Sequence, residues 1–192
     1  FSPARNLTIA ARGLHFGRYG VEGETEFQGG FGRQLNAIQP LFLGFETLVR
    51  GYAFESFQAG ECSSGGSTPS GGGSGPASGC PVFDRLFGQR IGVASLEARV
   101  PLLGVEQYGI INFPFLPTEL SLFVDAGVAY NSTDDVNFSF IRDSVERIPV
   151  FSTGISARVN ILGFLILESY YALPFQRPDR GWHWGFNLAP GW

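Results

Sequence analysis

Apolar residues recur at every second position along several stretches of the chain. From Leu120 to Tyr130 the even positions are Leu120, Leu122, Val124, Ala126, Val128 and Tyr130, while the odd ones are Ser121, Phe123, Asp125, Gly127 and Ala129. From Phe151 to Ile161 the odd positions read Phe, Thr, Ile, Ala, Val and Ile, set against Ser152, Gly154, Ser156, Arg158 and Asn160. Ala94 to Leu102 opposes Ala94, Leu96, Ala98, Val100 and Leu102 to Ser95, Glu97 and Arg99. Trp182 to Trp192 opposes Trp182, Trp184, Phe186, Leu188, Pro190 and Trp192 to His183, Gly185, Asn187, Ala189 and Gly191. Side chains of an extended chain alternate between two faces, so each stretch reads as a strand with one greasy and one small or polar face. Phe164 to Phe175, apolar on both sides except for Glu168, is a further strand, and Leu7 to Phe16 and Leu35 to Thr47 are two weaker candidates.

Seven strands of about 10 to 13 residues with little helix leave two architectures, a water-soluble sandwich or a membrane barrel with lipid outside and a polar lumen inside. The polar face decides between them. A sandwich exposes mostly charged residues there, whereas these faces carry Gly, Ser, Asn and isolated Glu, Asp and Arg, as suits a crowded lumen. Trp and Tyr near strand ends fit interfacial girdles, and the chain ends on an aromatic, Trp192. The expected fold is therefore an all-β, antiparallel transmembrane β-barrel. A helical span is excluded, since it needs about 18 or more consecutive apolar residues and the longest runs, Leu41 to Phe45 and Ile161 to Leu167, are far shorter.

Composition agrees with this picture. The 192 residues are one domain's worth, only 16% are charged, and 27 are Gly. All 13 basic residues are Arg, scattered singly and outnumbered by 17 acids, which argues against a nucleic-acid partner. The chain begins at Phe1 with no signal-peptide pattern, so a mature or truncated polypeptide is expected.

Cys62 and Cys80 bracket a Gly/Ser-rich tract with nothing to bury, the composition of a flexible coil. A disulfide there would trim loop entropy and imply an oxidising compartment; two free thiols are the alternative. The connection from Tyr52 to Phe87 and that from Asn131 to Arg147 are long and polar, while the turns at Leu162-Gly163 and Gln176 to Gly181 are short. Outer-membrane barrels have short periplasmic turns and long extracellular loops. With the Cys loop outside, successive strands alternate in direction and the C-terminus is periplasmic. Residues 1–192 are thus expected to be a single barrel domain with a long extracellular loop at about 52–87.

Leu48-Val49-Arg50-Gly51-Tyr52 opening the long loop, the run Val93 to Leu102 after it, Phe123-Val124-Asp125-Ala126-Gly127, the Ala172-Leu173-Pro174-Phe175 ending and the terminal aromatic strand resemble one known family. It is the BamA/TamA/FhaC-type outer-membrane assembly and translocation superfamily, and the likeness covers roughly Leu41 to Trp192. The resemblance implies a sixteen-stranded barrel, of which this chain would be the C-terminal seven or so strands. It implies that the long loop folds back into the lumen and that its Arg pairs with acids on the wall. Here the lock would be Arg50, Gly51 and Tyr52, and its partners Glu97 and Asp125, both on polar faces by parity. Trp184, Phe186, Leu188 and Trp192 would form the C-terminal strand signal.

The function so implied is insertion or translocation of polypeptides at the bacterial outer membrane, by a loop lock and a weak seam between first and last strands, with no cofactor and no metal. Gly185, Pro190 and Gly191 in the last strand suit weak pairing. Partners would be outer-membrane lipids, unfolded outer-membrane or secreted polypeptides, and other subunits of an outer-membrane complex. The competing reading is a structural anchor or subunit without insertase activity. Enzymatic readings find little support: the only histidines are His15 and His183, with no nucleophile and orienting acid placed beside either. Asp134, Asp135, Asp143 and Glu146 lack the spacing of an EF-hand and read as a solvated loop. Tyr108 to Pro117, with Ile110, Ile111, Phe113, Phe115 and Leu116, is an apolar stretch expected to meet the inner interface or a partner.

Overall fold

The computed structural model describes residues 6–19, 41–58, 61, 81–105, 109–131, 136–138, 140–141 and 148–190. The strands are β1 (Thr8–Gly17), β2 (Leu41–Phe42), β3 (Phe87–Gly88), β4 (Arg90–Gly104), β5 (Ile111–Asn112), β6 (Thr118–Tyr130), β7 (Val150–Ile161), β8 (Leu165–Pro174) and β9 (His183–Pro190). Among the described residues helix is limited to one 3-10 turn, Phe54–Ser56, the four-residue α1, Pro81–Asp84, and the helical residue Glu61. A single sheet runs in the order β1-β4-β6-β7-β8-β9, every neighbour antiparallel, with β5 added in parallel at the end of β4. A separate two-stranded sheet joins β2 to β3.

The period of two sorts the faces as expected. On β6 Leu122 is 62% exposed while its neighbour Phe123 is 2% exposed. Leu96, Val124, Ile155, Trp184, Phe186 and Leu188 share the exposed outer face, and Trp182 and Trp184 pack on Tyr171 there. Within the sheet's concave side the half nearer the turn ends carries Glu97, Ser121, Ser156, Arg158 and Glu168. The other half carries Ile91, Val93, Ala129 and Val150. That apolar half is covered by Leu43, Val49, Tyr52 and Leu86 of the long loop, which form one buried cluster with it. A second apolar group inside the loop stacks Phe42 on Phe87 at 4.5 Å and sets Phe54 edge-on to Phe42, Phe83 edge-on to Phe87 and Phe57 edge-on to Phe83.

The Leu35 to Thr47 candidate is corrected. β1 pairs directly with β4 over ten register positions, from Thr8 opposite Arg99 to Gly17 opposite Arg90, so residues 18–89 form one connection. Of the candidate's described residues, 41–47, Leu41 and Phe42 alone are extended, paired with β3, and the chain then turns through Phe45 to Val49; residues 35–40 lie outside the described residues. The apolar alternation around Leu41 and Leu43 reflects packing of the loop against the wall, not a lipid face. The sheet still has seven strands, the seventh being the two-residue β5. The long connection also starts well before residue 52.

One end of the sheet bears connections 18–89, 131–149 and 175–182; the other bears 105–117 and the tight turn at Leu162-Gly163, where φ is +52° and +78°. Ile110, Ile111, Phe113, Phe115 and Leu116 are all exposed at the second end. Cys62, Cys80, Trp192, Tyr108, Asp134, Asp135, Asp143 and Glu146 lie outside the described residues, and the expected disulfide and acidic loop lie there with them.

Candidate functional site

The turn from Phe45 to Val49 carries Arg50 into the sheet's concave side, where it is 4% exposed. Its guanidinium forks onto Asp125 of β6, Nε to Oδ2 at 2.7 Å and Nη2 to Oδ1 at 2.8 Å. The same Nη2 lies 2.7 Å from Glu97 Oε1 on β4, and Nη1 donates to Glu168 Oε1 on β8 at 3.0 Å. Its backbone N–H also donates to Asp125 Oδ2 at 3.2 Å. The planar group lies over the Phe123 ring, 3.7 Å from the centroid, an added cation–π contact. Only a guanidinium offers enough donors in one plane to serve three carboxylates together.

Strand register places these partners. Ser95 and Asp125 are opposite one another, and the Ser95 hydroxyl donates to Asp125 Oδ1 at 2.5 Å. Arg158 and Glu168 are opposite on β7 and β8, and Arg158 reaches both Glu168, at 3.1 Å, and Glu97, at 2.8 and 2.9 Å. Arg99 adds a bond to Glu97 at 2.7 Å. Three guanidinium groups thus face three carboxylates and the cluster is charge-balanced. Buried charges persist when they are paired and hydrogen-bonded in this way. Burial alone would lower the Arg50 pKa, but Asp125, Glu168 and Glu97 more than offset it and hold it above the ordinary value.

Glycines create the room. Phe123 lies opposite Gly154, and a Cβ at Gly154 would come 2.8 Å from the ring's Cζ. Tyr170 likewise covers its register partner Gly185, where a Cβ would strike the ring. At Gly127 a Cβ would meet Val49 Cγ2 at 2.7 Å and Leu43 Cδ2 at 2.9 Å, so this glycine is the slot for the inserted loop. Gly51 adopts φ +88°, a left-handed conformation that glycine takes without penalty. Its N–H donates to the Tyr170 hydroxyl at 3.4 Å, and that hydroxyl in turn donates to Glu46 at 3.0 Å. Tyr52 is fully buried, its hydroxyl accepting the Gln176 N–H at 2.9 Å and lying 3.2 Å from both Phe151 O and Gln176 Oε1. Burial raises the Tyr52 hydroxyl above its ordinary pKa, so it stays a neutral donor.

A second arginine, Arg177 in the β8–β9 connection, is 1% exposed and donates to Glu61, Ser56 and the carbonyl of Gly51. Below the loop an open cavity of about 530 Å³ is lined by Arg12, Glu46, Arg50, Glu97, Arg158 and Glu168 among others.

The structure brings together Arg50, Gly51, Tyr52, Glu97 and Asp125. Trp184, Phe186 and Leu188 stand apart from them, on the outer face of β9. His183 points inward and is buried, away from the two tryptophans. Sequence reasoning missed Glu168 as a third partner, although a lone carboxylate in an otherwise apolar strand signals a buried pair. It missed Arg158 as well, since parity puts that residue on the lumen face without saying which acids it joins. Arg177, Gln176 and Glu61 sit in connections, where no periodicity marks which side chains turn inward.

Comparison with known families matches residues 9–189 to the Omp85 superfamily domain. No curated protein and no solved structure matches the chain. The match spans nearly the whole chain and accords with an antiparallel sheet that is apolar outside and polar within. The chain therefore belongs to the Omp85 superfamily, a bacterial outer-membrane group of assembly and translocation factors rather than enzymes.

Proposed function

We propose that this chain is part of an outer-membrane barrel that inserts or translocates polypeptides, and that its long loop is held in the lumen by an Arg50 lock. The observation that carries the reading is the single guanidinium serving Asp125, Glu97 and Glu168 on three strands. Such a pairing is geometrically specifying even where its net stabilisation is small, because alternatives leave buried charge unpaired. Substrates are unfolded outer-membrane or secreted polypeptides. The outward edge of β9 has no neighbour among the described residues and offers a template for an incoming strand by β-augmentation. Besides suiting weak pairing, Gly185 houses the Tyr170 ring. The loop-bearing end is extracellular and the C-terminus periplasmic.

One observation favours the alternative, a structural anchor in an outer-membrane complex: the charge-balanced lock suits a permanent plug as well as a moving part. Insertion of barrel precursors into liposomes by the full-length protein separates the two. Arg50→Ala is expected to lower the insertion rate at least tenfold while the barrel remains heat-modifiable on gels. Arg50→Lys, which keeps the charge, serves where the alanine variant does not fold. Unchanged insertion by a folded Arg50 variant would sink the lock and leave the anchor.

A further inference from the structure

Arg177 is the largest fully buried side chain of the described residues, yet it belongs to a connection rather than to a strand. Its guanidinium grips the loop at several points. Nε and Nη2 fork onto Glu61 Oε2 and Oε1, both at 2.8 Å; Nη1 donates to the Gly51 carbonyl at 2.6 Å and to Ser56 Oγ at 2.8 Å; Nη2 also donates to Ser56 O at 2.9 Å. The plane stacks on Phe57 with its carbon 4.0 Å from the ring centroid. The preceding residue, Gln176, holds Tyr52 and, through Oε1, the Phe151 N–H at 2.7 Å.

Arg50 and Arg177 are therefore opposed. Arg50 reaches from the loop to acids on the wall, and Arg177 reaches from the wall's last hairpin to an acid and carbonyls of the loop. They meet at adjacent residues, since Arg177 binds the carbonyl of Gly51, next to Arg50. Arg177 is six positions before His183, the first residue of β9. A displacement of the β8–β9 connection relative to the loop would strip a buried guanidinium of all these acceptors, a cost far larger than that of a surface pair.

We propose that Arg177 is a second latch, a positioning residue that ties the β8–β9 hairpin to the inserted loop so that the two move as one unit. This rests on the loop being a working element of the barrel, and it adds a mechanical link between that loop and the strand with the open edge. The latch is independent of Arg50's carboxylates, because no acceptor is shared between the two arginines.

The test uses the full-length protein in vesicles of outer-membrane lipid, with spin labels at two exposed positions, Phe54 in the loop and Asp179 in the β8–β9 connection. The native protein is expected to give one narrow distance distribution. Arg177→Ala should broaden it at least twofold and Glu61→Ala by less, since the contacts of Arg177 to Gly51, Ser56 and Phe57 survive there; the double variant should broaden it no further than Arg177→Ala alone, which already removes the partner of Glu61. Arg177→Lys keeps the charge but loses the fork and should fall between; it also decides the matter if the alanine variant fails to fold. Distributions unchanged in Arg177→Lys and Arg177→Ala, or additive effects of Arg177→Ala and Glu61→Ala, would overturn the latch. Precursor insertion measured on the same samples keeps the two proposals apart. Loss of insertion in Arg50→Ala with no broadening in the Arg177 variants refutes the latch alone, and broadening in a protein whose insertion ignores Arg50 refutes the lock alone.

Discussion

At the scale of single residues the site is governed by how expensive an unpaired buried charge is. Asp125 is 1% exposed and takes two bonds from one guanidinium, so Arg50→Ala strands it beside Glu97 and Glu168. Removing one partner of a buried pair costs about 3 to 5 kcal/mol, and Arg50→Lys, which loses the fork but not the charge, should cost about 2 kcal/mol, roughly one charge-assisted bond. Limited proteolysis of the loop measures both, the expected order of susceptibility being native, then lysine, then alanine; a lysine variant as labile as the alanine variant would deny the fork its role. The loop also has an acid-sensitive contact. Burial pushes the Glu61 carboxyl up, but the hydrogen bond and charge of Arg177 pull it below its ordinary value of 4.5. A depressed folded-state pKa gives stability that is full above 4.5 and is lost as the pH falls below it. Loop protection should therefore decline on acidification through that range, and Glu61→Gln should flatten that part of the profile. Glu97 and Asp125 are legible in the amino-acid sequence because parity alone puts them on the lumen face. Glu61 and Arg177 are not, since a side chain in a connection has no alternating face to betray it.

Among the strands, shape is carried by glycines that lie under someone else's side chain. Phe123 fills the space over Gly154, Tyr170 that over Gly185, and the loop's Val49 and Leu43 that over Gly127. A cross-strand aromatic covering a glycine keeps the backbone dry and lets the sheet curve. Gly127→Ala should overpack the slot, costing about 1 to 3 kcal/mol, and should act on the loop rather than on the sheet. Gly13→Ala is the matched control, because nothing lies within 4 Å of its added Cβ. Urea unfolding and loop proteolysis of the two variants form the comparison; equal behaviour would show that the loop does not rest on Gly127. The same slots explain which strands the sequence pattern reveals. β4, β6, β7 and β9 alternate where the pattern is read because most of their inward residues there are small or polar, Phe123 being the exception, whereas β8 turns Tyr170, Ala172 and Pro174 inward beneath the loop and so appears apolar on both sides. Leu35 to Thr47 misleads for the opposite reason. Its apolar residues serve the loop's own core, and a period of two cannot tell a neighbour's side chain from lipid.

For the molecule as a whole, the arrangement of connections supports a proposed orientation that can be measured. Strands of 10 to 15 residues in β1, β4, β6, β7 and β8 are long enough to cross the hydrocarbon core, which takes about 9 to 11 residues at a tilt near 45°. Antiparallel neighbours then put connections 18–89, 131–149 and 175–182 on one side of the membrane and 105–117 and 162–164 on the other. On the proposed orientation the long connections lie outside, as the large polar loops of outer-membrane barrels do, and the short turns lie in the periplasm. Phe138, 81% exposed, and Asn112 of β5, also exposed, mark the two sides. In a background with Cys62→Ser and Cys80→Ser, Phe138→Cys should react with a membrane-impermeant maleimide on intact cells. Asn112→Cys should react only after the outer membrane is opened. The reverse pattern would invert the barrel and put the inserted loop at the periplasmic mouth, where it would meet substrates first. Labelling of both positions on intact cells would show that the sheet does not cross the membrane between them, and the lipid assignment of Leu122, Val124 and Trp184 would fall with it.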